Sequence, residues 1–199
     1  GRLKDALSLR ERLRTLEPFV PIYNIITASI MQYNRQREAS ILALEAIPPD
    51  AAGGFFRNIY LAQAYAAAGR YQDAANTLLA FKGKLASEQS MEEAARLLRS
   101  APTKVKASQA LPALEGEVGF AYSYVGATDR VLEFPARMVE VHFLNATGIR
   151  NVWLPELAPV RKTGRFKALV RDAGLVDYWK ARGWPDLCHP TTGDDFECS

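Results

Sequence analysis

The sequence predicts an all-α chain: an antiparallel helical-hairpin solenoid closed by a helical C-terminal cap. Three observations predict it. Residues Phe55 to Phe81, FFRNIYLAQAYAAAGRYQDAANTLLAF, read as two helices joined at Ala68-Gly69-Arg70. Small residues (Ala62, Ala66, Ala74) stand where two helices would touch, and large ones (Ile59, Leu61, Tyr65, Tyr71, Leu78) fill the gaps. The turn-and-alanine signal recurs, so that Ala6, Ala39 and Ala74 fall 33 and 35 residues apart. Finally, Phe166, Leu169, Leu175, Tyr178, Trp179 and Trp184 form an aromatic-rich ending suited to hiding the last apolar face of a stack.

Taken in order, residues 1–144 divide into helical units of about 1–18, 19–48, 52–84 and 111–140, with an irregular insertion at 85–110. The first unit holds only a second helix, with Leu9, Leu13 and Leu16 at helical spacing, stopping at Glu17-Pro18. Its missing partner would leave an apolar stripe open, so the chain reads as the C-terminal piece of a longer protein, the alternative being a lone N-terminal helix folded back on the domain. Phe19 to Tyr33 is the next first helix, with Pro21 allowed in its opening turn, and Pro48-Pro49 ends its partner. In the insertion, Ser90-Met-Glu-Glu93 has the form of a capping box for a short amphipathic helix reaching about Arg99. In the last unit Gly119, Tyr122, Gly126 and Val131 take the places of Ala62, Tyr65, Gly69 and Ala74, and Pro135 predicts a break near Phe134. Residues 145–199 are a capping module that begins with a loop, Asn145 to Asn151.

Ala62 to Tyr65 followed by Gly69-Arg-Tyr-Gln-Asp-Ala74 resembles the tetratricopeptide repeat (TPR), a helical hairpin of about 34 residues. A second resemblance covers about 153–199. Pro155, Ala158-Pro-Val-Arg161, Arg165-Phe166, Leu169-Val170, Gly174-Leu175, Tyr178-Trp179, Gly183-Trp-Pro-Asp186 and Cys188 lead to the ending Thr192-Gly-Asp-Asp-Phe-Glu-Cys198. This looks like the module that closes the TPR region of certain bacterial signalling proteins: adenylate or guanylate cyclases and CadC-type regulators with a TolB-like and TPR half. The resemblance implies an upstream output domain in the same polypeptide and an accessory role here, and it carries over no catalytic residue.

Composition narrows the function further. With 48% hydrophobic residues the chain can pack a core, and 25 basic against 22 acidic residues, net +3, is too balanced to imply a nucleic-acid partner. No apolar run reaches the roughly 20 residues of a membrane span. There is no phosphate-cradling Gly loop, no HExxH and no GxSxG, so a non-catalytic module with no cofactor is expected. Arg161, Lys162, Arg165, Lys167 and Arg171 make one side of the cap basic, read as a solvated face with acidic neighbours or as an anionic contact surface. His142 is expected to pack, and Asp194-Asp195 to form a solvated turn.

Cys188 and Cys198, the only cysteines, bracket a turn-rich run. A disulfide between them would stabilise by about 2.5–3 kcal/mol and place the region in an oxidising compartment, for a bacterium the periplasm. Free thiols would leave it cytoplasmic, and a zinc site with His189 lacks a fourth ligand.

The expected site is the groove lined by first helices. Mapping their exposed positions gives Asn24, Ala28, Met31 and Gln32, then Ile59, Gln63 and Ala66, then Phe120, Ser123 and Tyr124. Amides beside Met and aromatics suit an extended peptide or a short helix, so the expected partner is a protein or peptide segment. Two alternatives remain: a small-molecule sensor with the groove closed into a pocket by the insertion, or simple packing of these residues against neighbouring helices.

Overall fold

Three helices set up the fold: α1 (Leu3–Leu16), then the hairpin of α2 (Pro21–Tyr33) and α3 (Arg37–Glu45). Pro21 opens α2, where its missing N–H has no intrahelical partner to lose. A second hairpin follows, α4 (Gly54–Ala67) and α5 (Tyr71–Leu79). Gly53, before α4, has φ +88, which favours glycine, and a Cβ there would also crowd Ile22 Cδ1 of α2 at 3.0 Å. The computed structural model describes residues 2–80, 87–104, 110–143 and 149–199. Phe81, residues 82–86 and 105–109 of the expected third unit and insertion, and residues 144–148 of the expected loop lie outside the described residues.

The two hairpins turn in the same way. Arg35 (φ 63) and Gly69 (φ 77) are both left-handed. The Gln36 N–H donates to Met31 O at 2.9 Å, as the Arg70 N–H does to Tyr65 O at 2.8 Å. Helices α1, α3 and α5 (Tyr71–Leu79) then open with the same 3.0 Å bond: Ala6 N–H to Arg2 O, Ser40 N–H to Gln36 O, and Ala74 N–H to Arg70 O. The equivalent positions are therefore Ala6, Ser40 and Ala74, 34 residues apart at each step. This corrects the sequence register, which used Ala39. Ala39 is exposed, whereas Ser40 is buried with its hydroxyl donating to Ala28 O at 2.7 Å. A serine satisfied by a backbone carbonyl fits a helix crossing as well as alanine does.

Helix α6 (Glu88–Ser100) is capped one turn earlier than expected: the Ser87 hydroxyl accepts from Ser90 N–H at 3.2 Å. Ser90 is instead buried, its hydroxyl accepting from Glu115 N–H at 2.7 Å. The last unit keeps the turn, with Gly126 at φ 79 and the Ala127 N–H on Tyr122 O at 3.1 Å. It winds as 3₁₀ helices η1 (Gly116–Tyr124) and η2 (Thr128–Leu132), followed by α7 (Glu133–Glu140). Pro135 falls in the first turn of α7, where no backbone bond is lost, so the break expected near Phe134 occurs at the η2–α7 junction.

Consecutive helices pack together from α1 through α6 to η1, and α2 also packs on α4 and α4 on η1. Among the described residues the fold is thus all-α apart from one short hairpin at the end. After η3 (Asn151–Trp153) and η4 (Pro155–Leu157) come α8 (Ala158–Arg161), α9 (Gly164–Asp172), α10 (Leu175–Arg182) and the antiparallel strands β1 (Cys188–Pro190) and β2 (Phe196–Cys198). Cys188 and Cys198 sit opposite one another and are joined by a disulfide. The cap expected to be helical therefore ends in a cross-linked β-ribbon. Phe196 is fully buried against Trp179 and Trp184, and Trp179 in turn meets Trp153.

The cap also reaches farther than the last unit. Helix α9 packs on η2 and α7, while the Asp186 carboxylate accepts the N–H groups of Leu3 and Lys4 at 2.8 and 3.1 Å, capping α1. The C-terminal module ties the last unit to the first helix. Among the described residues, no helix is long and apolar enough to cross a membrane.

Candidate functional site

Side by side, α2, α4 and η1 form an inner face, and residues 149–157 run across it as a strap. Arg150 is the strap's deepest polar anchor. Its Nη2 lies 2.6 and 2.7 Å from the two carboxylate oxygens of Glu117, and its guanidinium stands over the Tyr60 ring, 4.5 Å from the centroid. Burial pushes the Glu117 carboxyl up, and the guanidinium pulls it part of the way back. Burial likewise pushes the Tyr33 and Tyr60 hydroxyls well above the usual phenol range beside the same guanidinium. Asn151 follows, accepting from Gln63 Nε2 at 3.2 Å and donating to Glu117 O at 3.3 Å. Val152, Trp153, Leu154 and Leu157 are buried, and Glu156 pairs with Arg37 at 3.0 Å.

The ten residues expected to line an open groove divide accordingly. Gln32 is buried and donates to Tyr60 O at 2.9 Å, Gln63 is spent on the strap, and Tyr124 is half-buried with its ring tilted against that of Tyr71. Ala28, Met31, Ile59, Ala66 and Phe120 are buried in the core. Ser123 is half-buried. Asn24 is placed elsewhere: it donates to Pro18 O and lines a broad depression between α1 and α3 with Glu11, Arg14, Ala43 and Ala46. Seven of the ten are thus buried, and the strap's Asn151 takes up Gln63.

The residues that do assemble there were missed: Tyr33, Tyr60, Glu117, Arg150, Asn151, Arg35, Arg37 and Glu156. One signal was present. Where the other hairpins turn on Gly69 and Gly126, the first turns on Arg35, a residue with no local reason to adopt positive φ.

Elsewhere the expected basic side is partly paired with acids. Lys167 and Arg171 both bind Asp195 at 2.7 Å, Lys180 binds Asp194 at 2.9 Å, and Arg165 approaches Asp129 at 3.8 Å. The Lys167 and Arg171 partners, with the Phe196 N–H, hold the Asp195 carboxyl down at about 2. Arg161 is not on the surface at all, being 1% exposed. His142, expected to pack, is exposed at φ 54.

Comparison of the chain with protein-family models, with curated proteins and with solved structures gave no match.

Proposed function

We propose that this chain is a non-catalytic sensory module of TPR type, attached to an output domain in the same bacterial polypeptide, and that it binds a compact ligand. The observation that carries the choice is the strap. A peptide entering the inner face would have to expel Val152, Trp153, Leu154 and Leu157, each worth about 1.5–3 kcal/mol when buried. It would also strand the Glu117 carboxylate. That cost, roughly 6–12 kcal/mol before any contact is made, disfavours a protein segment in the groove and favours a ligand that uses the space the strap leaves. The Cys188–Cys198 disulfide supports an oxidising compartment, which for a bacterial chain means the periplasm.

Hydrogen exchange tests the choice at Leu154 and Leu157, whose N–H groups bond to Asn151 O and Leu154 O, both at 3.0 Å. Under this reading they exchange as slowly as the amides of α4, opening only with global unfolding. Exchange through a low-energy local opening, with α4 still protected, would restore the peptide groove instead.

A further inference from the structure

Where the strap crosses the turn between α2 and α3, a pocket of about 240 Å³ remains. Ala67, Leu154 and Pro155 supply an apolar wall, and Gln32, Arg35, Arg37 and Glu156 the rest of the lining. The charges do not balance. Arg37 is matched by Glu156, but among the described residues Arg35 makes no ion pair. Beneath the floor, Arg161 donates to Val152 O, Leu154 O and Ser199 O at 2.7, 2.9 and 2.6 Å, all main-chain oxygens. Burial first, then repulsion from Arg35, lowers Arg161 to about 10. Two guanidinium groups, Arg35 and Arg37, therefore line a partly enclosed space that holds one carboxylate, Glu156.

The position of Arg35 sharpens the point. Its backbone adopts the left-handed conformation that Gly69 and Gly126 adopt in the equivalent turns, at a conformational cost that glycine would avoid. An exposed side chain kept there against backbone preference, lining a pocket whose one carboxylate, Glu156, is already paired with Arg37, marks a binding position.

We propose that this pocket binds a small organic carboxylate. The acid group sits on Arg35, with Arg37 as a second donor, and a short apolar body lies against Ala67, Leu154 and Pro155. The space equals roughly eight water volumes, which sets the scale of the ligand at a short-chain acid. This inference rests on the ligand-binding reading above and names its chemical class.

The test titrates the intact chain with n-butyrate, butyramide, inorganic phosphate and a hexapeptide with a free C-terminal carboxyl, at matched ionic strength, following melting temperature and binding heat. Butyrate is expected to bind and to raise the melting temperature with concentration, and butyramide to do neither. In Arg35→Gly, which suits the turn and should fold at least as well, butyrate binding weakens by about tenfold or more, the loss of one charge-assisted pair. No response to butyrate, an equal response to butyramide, or unchanged affinity in Arg35→Gly would overturn the proposal. Tighter binding of phosphate or of the hexapeptide would overturn the assignment to a small apolar acid. Strap exchange measured on the same samples separates the two claims: a protected strap with no butyrate response sinks this inference alone, whereas a freely exchanging strap sinks the reading beneath it.

Discussion

Arg150→Ala removes the cation that balances Glu117 and leaves a carboxylate in the interior beside two buried tyrosines. The two side chains are only 16% and 10% exposed, so solvent screens little of the loss. Breaking a buried pair from one side costs about 3–5 kcal/mol, and losing the guanidinium over Tyr60 adds about 1 kcal/mol. The expected destabilisation at pH 7 is therefore about 4–6 kcal/mol, read from urea midpoints at an unchanged denaturant slope.

The sign of its pH dependence follows from Glu117. A carboxyl whose folded pKa is raised disfavours the folded state only when ionised, so its penalty is absent below the unfolded pKa of about 4.3 and grows as pH rises towards the folded value. Without Arg150 that folded value climbs further, and the defect should shrink between pH 7 and pH 4. Replacing both partners, Arg150→Met with Glu117→Leu, should recover most of the loss, since an apolar pair of similar volume has no charge to strand. A defect below about 1 kcal/mol at pH 7, or one of equal size at pH 4, would refute the account of the strap as anchored by a buried ion pair.

Three further outcomes follow from the same structure. Replacing Cys188 and Cys198 by Ser should cost about 2.5–3 kcal/mol, and the unreduced native chain should yield no titratable thiol on denaturation. Asp186→Ala should cost about 1 kcal/mol and speed amide exchange at Leu3 and Lys4; unchanged exchange there would mean the C-terminal module does not cap α1. Gly69→Ala should cost about 1 kcal/mol through backbone strain alone, because nothing lies within 4 Å of the new Cβ. A loss several times larger would point to a contact that the geometry lacks.

The helices were legible because they are written locally. Apolar spacing, Pro21, the turn at Gly69 and the offset to Tyr122 and Gly126 all lie within a few residues of what they control. The errors came where one residue can replace another by a non-local bond. Ser40 stands for alanine because Ala28 O accepts its hydroxyl, and Ser87 displaces Ser90 as a cap because Ser90 is engaged with Glu115. The site was less legible. Gln32 and Gln63 were expected to face a partner, and both instead bond within the chain, Gln63 to a residue 88 positions away.

By itself, then, the sequence determined that the chain is mostly helical, where its two hairpins turn and which two cysteines could close the final loop, since periodicity, glycine and proline act over a turn or two of chain. Only the tertiary structure decided what fills the inner face. Arg150, Asn151 and Glu156 find Glu117, Gln63 and Arg37 across separations of 33 to 119 residues, and no local pattern encodes which side chains meet once the chain has come back on itself.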